Sequence, residues 1–234
     1  MTHKCLLFVT VFIAFFTGSA LAQSHRTDIH VDANDVQPLL PGMQAPAFEV
    51  VSVEGQSVHF DPKNMQKPLV LTFFRGGWCP YCNLHLAELR KAEGELKEMG
   101  FDIWFISIDR PELLYDSLEQ SDIGYTILSD SGLEATRAFG LAFRVSDETV
   151  ERYKTYDIDL EAASGESHHV LPAPSTFIIA SDGMIRFQYT NPDYAVRLHP
   201  DVLLAAARAY DDEVNDRLRR QHKANKEAKS STGS

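Results

Sequence analysis

Cysteine is scarce: the 234 residues hold three, which excludes a small domain stapled by several disulfides. Long apolar runs are missing as well. The run from Leu6 to Phe16 is about 11 residues, whereas a membrane-spanning helix needs about 20. Positive charge is also in short supply, because 22 Lys and Arg face 33 Asp and Glu for a net charge of −11. That balance argues against nucleic acid as a partner.

What the first residues do contain is Lys4, the apolar run, and small residues ending Ala20-Leu21-Ala22. This is the pattern of a secretory signal peptide spanning residues 1–22, with cleavage near Ala22-Gln23 and export to the periplasm or medium. Cleavage removes Lys4 and no acid, taking the net charge from −11 to −12. It also removes Cys5, so Cys79 and Cys82 are the only thiols of the exported chain. In an oxidising compartment two such cysteines form a disulfide, Cys79-Cys82. A staple enclosing two residues restrains little of the unfolded chain, which favours a redox role over a structural one.

Residues 23–39 show no apolar period and are expected to be a flexible leader before one domain at 40–218. Within that domain, Ala47–Val53 and Gln56–Phe60 across Glu54-Gly55 predict a hairpin. Leu69–Phe74 reads as a strand buried on both faces. Apolar residues at 84, 86, 89, 92 and 96 predict a helix over 83–99, with Pro80 in its first turn and Gly100 as its cap. Phe101–Ile108 follows as a core strand, then a helix over 111–120, a strand over 125–128 and a helix over 133–139. The βαβα alternation predicts parallel strands with helices on the faces. Residues 143–170 interrupt the rhythm with a helix over 147–156 and a polar stretch, read as an insertion near the active-site face. A hairpin of Thr176–Ala180 and Ile185–Tyr189 and a helix from Pro200 to about Leu218 close the domain. Residues 219–234 read as a disordered polar tail.

A cysteine at a strand-to-helix turn has its thiolate stabilised by the free N–H groups and positive end of the helix. Cys79 holds that position as the attacking thiol, Arg75 is the candidate neighbouring cation, and Cys82, one turn inward, is the resolving thiol. The pair by itself also fits half of a zinc site. Trp78, Pro80 and Tyr81 around the pair are candidate substrate contacts, although Trp78 and Tyr81 could equally be packing lids. Ala173-Pro174 stands before a predicted strand, where proline cannot join a central ladder. We expect it to pack against Cys79 and offer backbone groups to a thiol substrate.

Phe73-Phe74-Arg75-Gly76-Gly77-Trp78-Cys79-Pro80-Tyr81-Cys82-Asn83, Ser107-Ile108-Asp109, Leu128-Ser129-Asp130 and Leu171-Pro172-Ala173-Pro174-Ser175-Thr176-Phe177 resemble the peroxiredoxin-like branch of the alkyl hydroperoxide reductase and thiol-specific antioxidant family. Asp193-Tyr194, Arg197 and Pro200 extend the resemblance. It implies a thioredoxin-like α/β fold: a central mixed sheet flanked by helices, an N-terminal hairpin and an insertion before the last hairpin. It also implies a cis Ala173-Pro174 bond and thiol-dependent reduction of peroxides or protein disulfides, with a thiol electron donor and no cofactor. The chain departs from true peroxiredoxins at Thr72, Gly76 and Pro174, where that family carries Pro, Thr and Arg.

A different class of reading is copper delivery by Cys79, Cys82 and a histidine, His168 or His169. Thioredoxin-fold copper carriers place three residues between their cysteines and this chain places two, so His168 and His169 read as solvated loop residues and no metal site is expected. Asp109, at a strand end, is expected to cap the following helix.

Overall fold

The computed structural model describes residues 26–118 and 124–231. The expected signal segment with Cys5, and the end of the helix expected over 111–120, lie outside the described residues. Among the described residues nine strands form two sheets. The larger has the order β2-β1-β5-β4-β3-β8-β9, built from β1 Phe48–Ser52, β2 Ser57–Phe60, β3 Leu69–Phe73, β4 Asp102–Ser107, β5 Thr126–Ser129, β8 Ser175–Ile179 and β9 Ile185–Thr190. The central strands β3, β4 and β5 run parallel, while β1, β2, β8 and β9 pair antiparallel. The two predicted hairpins thus make the sheet mixed around a parallel centre.

The reason β3 sits at the middle is legible in its residues. All five are buried, and successive side chains leave on opposite faces. Leu69, Leu71 and Phe73 join Phe139, Phe177 and Ile179 on one side. Val70 and Phe74 join Leu89, Leu96 and Leu203 on the other. Each such side chain contributes about 1.5–3 kcal/mol on burial.

On that second face lies α1, Pro80–Glu98, which buries Cys82, His85, Leu89, Ala92 and Leu96 at alternating spacings of three and four. Its end is a Schellman closure: Gly100, at φ +85°, donates to the Lys97 carbonyl, and Phe101 N–H donates to that of Leu96. The remaining helices are α2 Pro111–Leu118, α3 Glu134–Ala138, α4 Asp147–Lys154, α5 Leu160–Ser164 and α6 Pro200–Ser231. The insertion holds α4 and α5 between β6 Ala142–Arg144 and β7 Val170–Pro172, which pair as a two-stranded sheet. Among the described residues no helix is long and apolar enough to cross a membrane.

Two expectations need correction. The segment expected as a flexible leader is docked from His30 onward: His30 N–H donates to Ala142 O, the His30 carbonyl accepts from Arg144 N–H, and Gln37 N–H donates to Gly140 O. The contacts are made by backbone, which leaves no apolar period to read. Gly140 makes the approach possible, because at φ +72° a Cβ there would lie 2.1 Å from Gln37 O. The tail expected to be disordered from 219 instead continues α6 to Ser231. Residues 219–231 are mostly Arg, Lys, Gln, Glu and Ala with no Gly or Pro, a composition with high helix propensity.

Candidate active site

The polypeptide leaves β3, turns through Arg75, Gly76 and Gly77, and enters α1 with Cys79 as N-cap and Pro80 at the first helical position. Proline costs nothing there, since the first-turn N–H groups have no intrahelical partner. The Cys79 carbonyl accepts from Cys82 N–H at 2.9 Å and Asn83 N–H at 3.1 Å, so the cysteine pair belongs to one closed helical turn. Both sulfurs are buried free thiols in this structure, the reduced form of the expected disulfide.

Burial would normally keep a thiol protonated, yet Cys79 is lowered to about 6. The principal cause is the Cys82 S–H donating to its sulfur, followed, against the desolvation, by the positive charge of Arg75. Cys82 moves the opposite way, pushed up by holding its proton toward Cys79 and by burial. At neutral pH the pair therefore carries one shared proton and one negative charge, held mainly on Cys79.

Arg75 is 3% exposed and reaches Cys79 Sγ with Nη1 at 3.9 Å. Its Nη2 donates to the Tyr153 hydroxyl. The guanidinium carbon stands 4.0 Å from the ring centre of Tyr194, 5.1 Å from Trp78 and 5.6 Å from Tyr153. Three aromatic faces thus hold a buried cation beside the sulfur. Of these rings, Tyr153 lies on α4 in the insertion, which places that insertion at the site as expected. On the other sulfur, Arg197 Nη2 lies 3.3 Å from Cys82 Sγ.

Trp78 is half-buried and packs against two apolar clusters. Tyr81 is 47% exposed and meets Tyr194 edge-on at 5.6 Å. Pro80 is exposed at the helix start.

The residues that depart from the peroxiredoxin pattern have structural work of their own. Thr72 Oγ1 lies 3.1 Å from Thr176 Oγ1 in a buried cross-strand pair. Gly76 admits no side chain, since a Cβ would stand 2.2 Å from Trp78 Nε1 and 2.7 Å from Asp109 Oδ1.

Three expectations about the site are corrected. No peptide bond among the described residues is cis, Ala173-Pro174 included; the chain runs extended from β7 to β8, and a trans X-Pro bond is the lower-energy form. Nor are the backbone groups there open to a substrate: Ala173 N–H donates to Leu141 O, its carbonyl accepts from Ser175 Oγ, and Pro174 O accepts from Asn191 N–H. Asp109 does not cap α2. Its Oδ2 accepts from Gly77 N–H at 2.6 Å and so fixes the loop before Cys79. Burial raises this carboxyl to about 6, against the Gly77 hydrogen bond that lowers it.

His168 and His169 are committed away from the sulfurs. His168 Nε2 lies 3.0 Å from Ser131 O and its Nδ1 accepts from Val170 N–H, while His169 Nε2 meets Glu161 Oε1 at 2.8 Å. Sequence reasoning did not single out Tyr153 or connect Arg197 to Cys82. The only available signals were, for Tyr153, an aromatic in a segment read as helix and, for Arg197, its place in the family resemblance.

Residues 41–188 match the family model described as the AhpC/TSA family. Peroxiredoxin Bcp of Escherichia coli strain K12 is 30% identical over 169 residues, covering 72% of this chain and 96% of that protein. Thiol-disulfide oxidoreductase ResA of Halalkalibacterium halodurans is 29% identical over 101 residues, 43% of this chain and 56% of that protein. Among solved structures, Mycobacterium tuberculosis peroxidoxin BcpB superposes with a TM-score of 0.56 at 20% identity, covering 72% of this chain and 96% of that one. This likeness shows the thioredoxin-like fold. Because the family model spans most of the domain and Bcp is matched along nearly its full length, the chain belongs to the AhpC/TSA family and is a thiol oxidoreductase.

Proposed function

We propose that the chain is an exported thiol peroxidase in which Cys79 attacks the peroxide and Cys82 resolves the product. The observation that carries this reading is the buried Cys79 sulfur at the start of α1, lowered to about 6 with Cys82 and Arg75 as its neighbours. The thiolate attacks the terminal oxygen of ROOH, the O–O bond breaks, and RO⁻ leaves to be protonated as ROH, with Arg75 beside the developing charge. Cys79 is then a neutral sulfenic acid. Its negative charge is gone, so Cys82 gives up its proton more readily, and Arg197 is positioned to stabilise the new thiolate. Attack of Cys82 on Cys79 forms the disulfide and releases water, and an external thiol donor returns both sulfurs to the reduced state.

Export rests on the Lys4, Leu6–Phe16 and Ala20-Leu21-Ala22 pattern; a mature N-terminus at Gln23 in the exported protein tests it. The chemistry is tested by stopped-flow tryptophan fluorescence of the reduced protein with hydrogen peroxide. Cys79→Ser is expected to abolish the response, and Cys82→Ser to accumulate a dimedone-reactive sulfenic acid. Peroxide consumption retained by Cys79→Ser refutes the assignment.

A further inference from the structure

His85 is buried on α1, 5% exposed, three positions after Cys82 and so on the same face of the helix. Its Nε2 lies 3.1 Å from the Leu198 carbonyl oxygen. A carbonyl oxygen only accepts, so Nε2 carries the ring proton and donates it. Burial, and after it the positive charge of Arg197, lower the imidazole to about 4. At neutral pH His85 is therefore uncharged, and Nε2 is its one donor.

Leu198 follows the arginine that reaches the Cys82 sulfur. Both residues lie in the irregular segment 191–199 between β9 and α6. The first half of that segment is folded on itself: Asp193 N–H donates to Asn191 Oδ1, Ala195 N–H to Asp193 Oδ1, and Val196 N–H to the Asp193 carbonyl. That pattern stops at Val196. Among the described residues the main chain of Arg197 and Leu198 has a single hydrogen bond, the one from His85. The Leu198 side chain packs in the cluster that also holds Cys79, Cys82 and Leu89. Two consecutive residues of the segment thus meet two residues one helical turn apart, Arg197 on Cys82 and Leu198 on His85, which sets the register of segment against helix. A guanidinium on a long side chain is confined to one place more readily when the main chain that bears it is already fixed.

We propose that His85 is a positioning residue for the resolving step: by donating to the Leu198 carbonyl it holds the Arg197 guanidinium against the Cys82 sulfur. This rests on the peroxidase reading with Cys82 as the resolving thiol and adds the residue that prepares it. In that step Cys82 gives up its proton and its thiolate attacks the sulfur of the Cys79 sulfenic acid. The S–S bond forms as the S–O bond breaks, and the leaving hydroxide takes a proton and departs as water. His85 acts through Arg197 and exchanges no proton with either sulfur.

The test follows disulfide formation, the second fluorescence phase of the reduced full chain with hydrogen peroxide, in two variants. His85→Leu keeps the packing and removes the donor; His85→Gln has an amide that still donates to the Leu198 carbonyl. His85→Leu is expected to slow this phase about fivefold, the scale of one hydrogen bond, and His85→Gln to return it to within about twofold of the wild type. In an Arg197→Met background the same His85→Leu change is expected to slow it no further, because the group it positions is gone. A second phase unchanged by His85→Leu, or slowed by the same factor with and without Arg197, overturns the proposal; His85→Ala takes the place of His85→Leu in the same cycle if the leucine variant does not fold. Wild-type protein that stays dimedone-reactive after peroxide and forms no Cys79-Cys82 disulfide removes the resolving step itself, and both readings of Cys82 fall together.

Discussion

Arg197 Nη2 lies 3.3 Å from Cys82 Sγ, bringing a guanidinium from the segment after β9 onto the sulfur that α1 buries. Two further nitrogens of this arginine, Nε and Nη1, are buried without partners, so the group is held with donors to spare beside the thiol proposed to resolve. Its effect is a lowering of the Cys82 pKa, opposed by the larger raising influence of Cys79 and of burial.

Removing it should slow the second chemical step. In Arg197→Met the oxidation of Cys79 remains visible as the first fluorescence phase, while disulfide formation slows about tenfold or more, the scale of one hydrogen bond to a charged group. A single change of both phases by the same factor would contradict this division of labour.

The Cys79 thiolate depends most on the Cys82 S–H. In Cys82→Ala that donor is lost, so the midpoint of Cys79 alkylation by iodoacetamide should rise from about 6 by about one unit. Arg75→Gln should also raise it, because the lost positive charge favoured the ionised form.

Gly76 marks a place where the family threonine cannot be restored locally. In Gly76→Thr the added Cβ meets Trp78 Nε1 and Asp109 Oδ1, so Trp78 or the Asp109–Gly77 hydrogen bond must shift. A loss of about 1–3 kcal/mol by urea denaturation and a change in tryptophan emission are expected.

Asp109 predicts a pH dependence of stability. Its pKa is raised to about 6 from 3.8 in the fold, so the native state holds the proton more tightly than the unfolded chain. Stability from this group is greatest below about 4 and is lost as pH rises through about 6, a change on the order of 3 kcal/mol. Asp109→Asn keeps an oxygen for Gly77 N–H and removes the titration. The difference in unfolding free energy between variant and wild type should therefore shift in favour of the variant from pH 4 to pH 8.

The parts of the molecule legible in the sequence were those with a period or a fixed local geometry. Leu69–Phe74 announced the central strand, the apolar residues at 84, 86, 89, 92 and 96 the helix, and the strand-to-helix turn the placement of Cys79 beside Arg75. What escaped was made by groups without a pattern. Residues 30–39 dock through main-chain hydrogen bonds, Arg197 meets Cys82 across 115 positions, and Asp109 turns from the helix it precedes to the loop of Gly77. The cis proline was an inference from the family, and the local chain satisfied its backbone groups another way.

Placing both sulfurs in one helical turn also governs what happens under heavy oxidant load. A sulfenic acid becomes sulfinic acid when a second peroxide arrives before the partner thiol does. Under the proposed peroxidase chemistry the Cys82 thiol already stands beside Cys79, so the sulfenic acid should be consumed quickly and inactivation should require oxidant concentrations far above those of normal turnover.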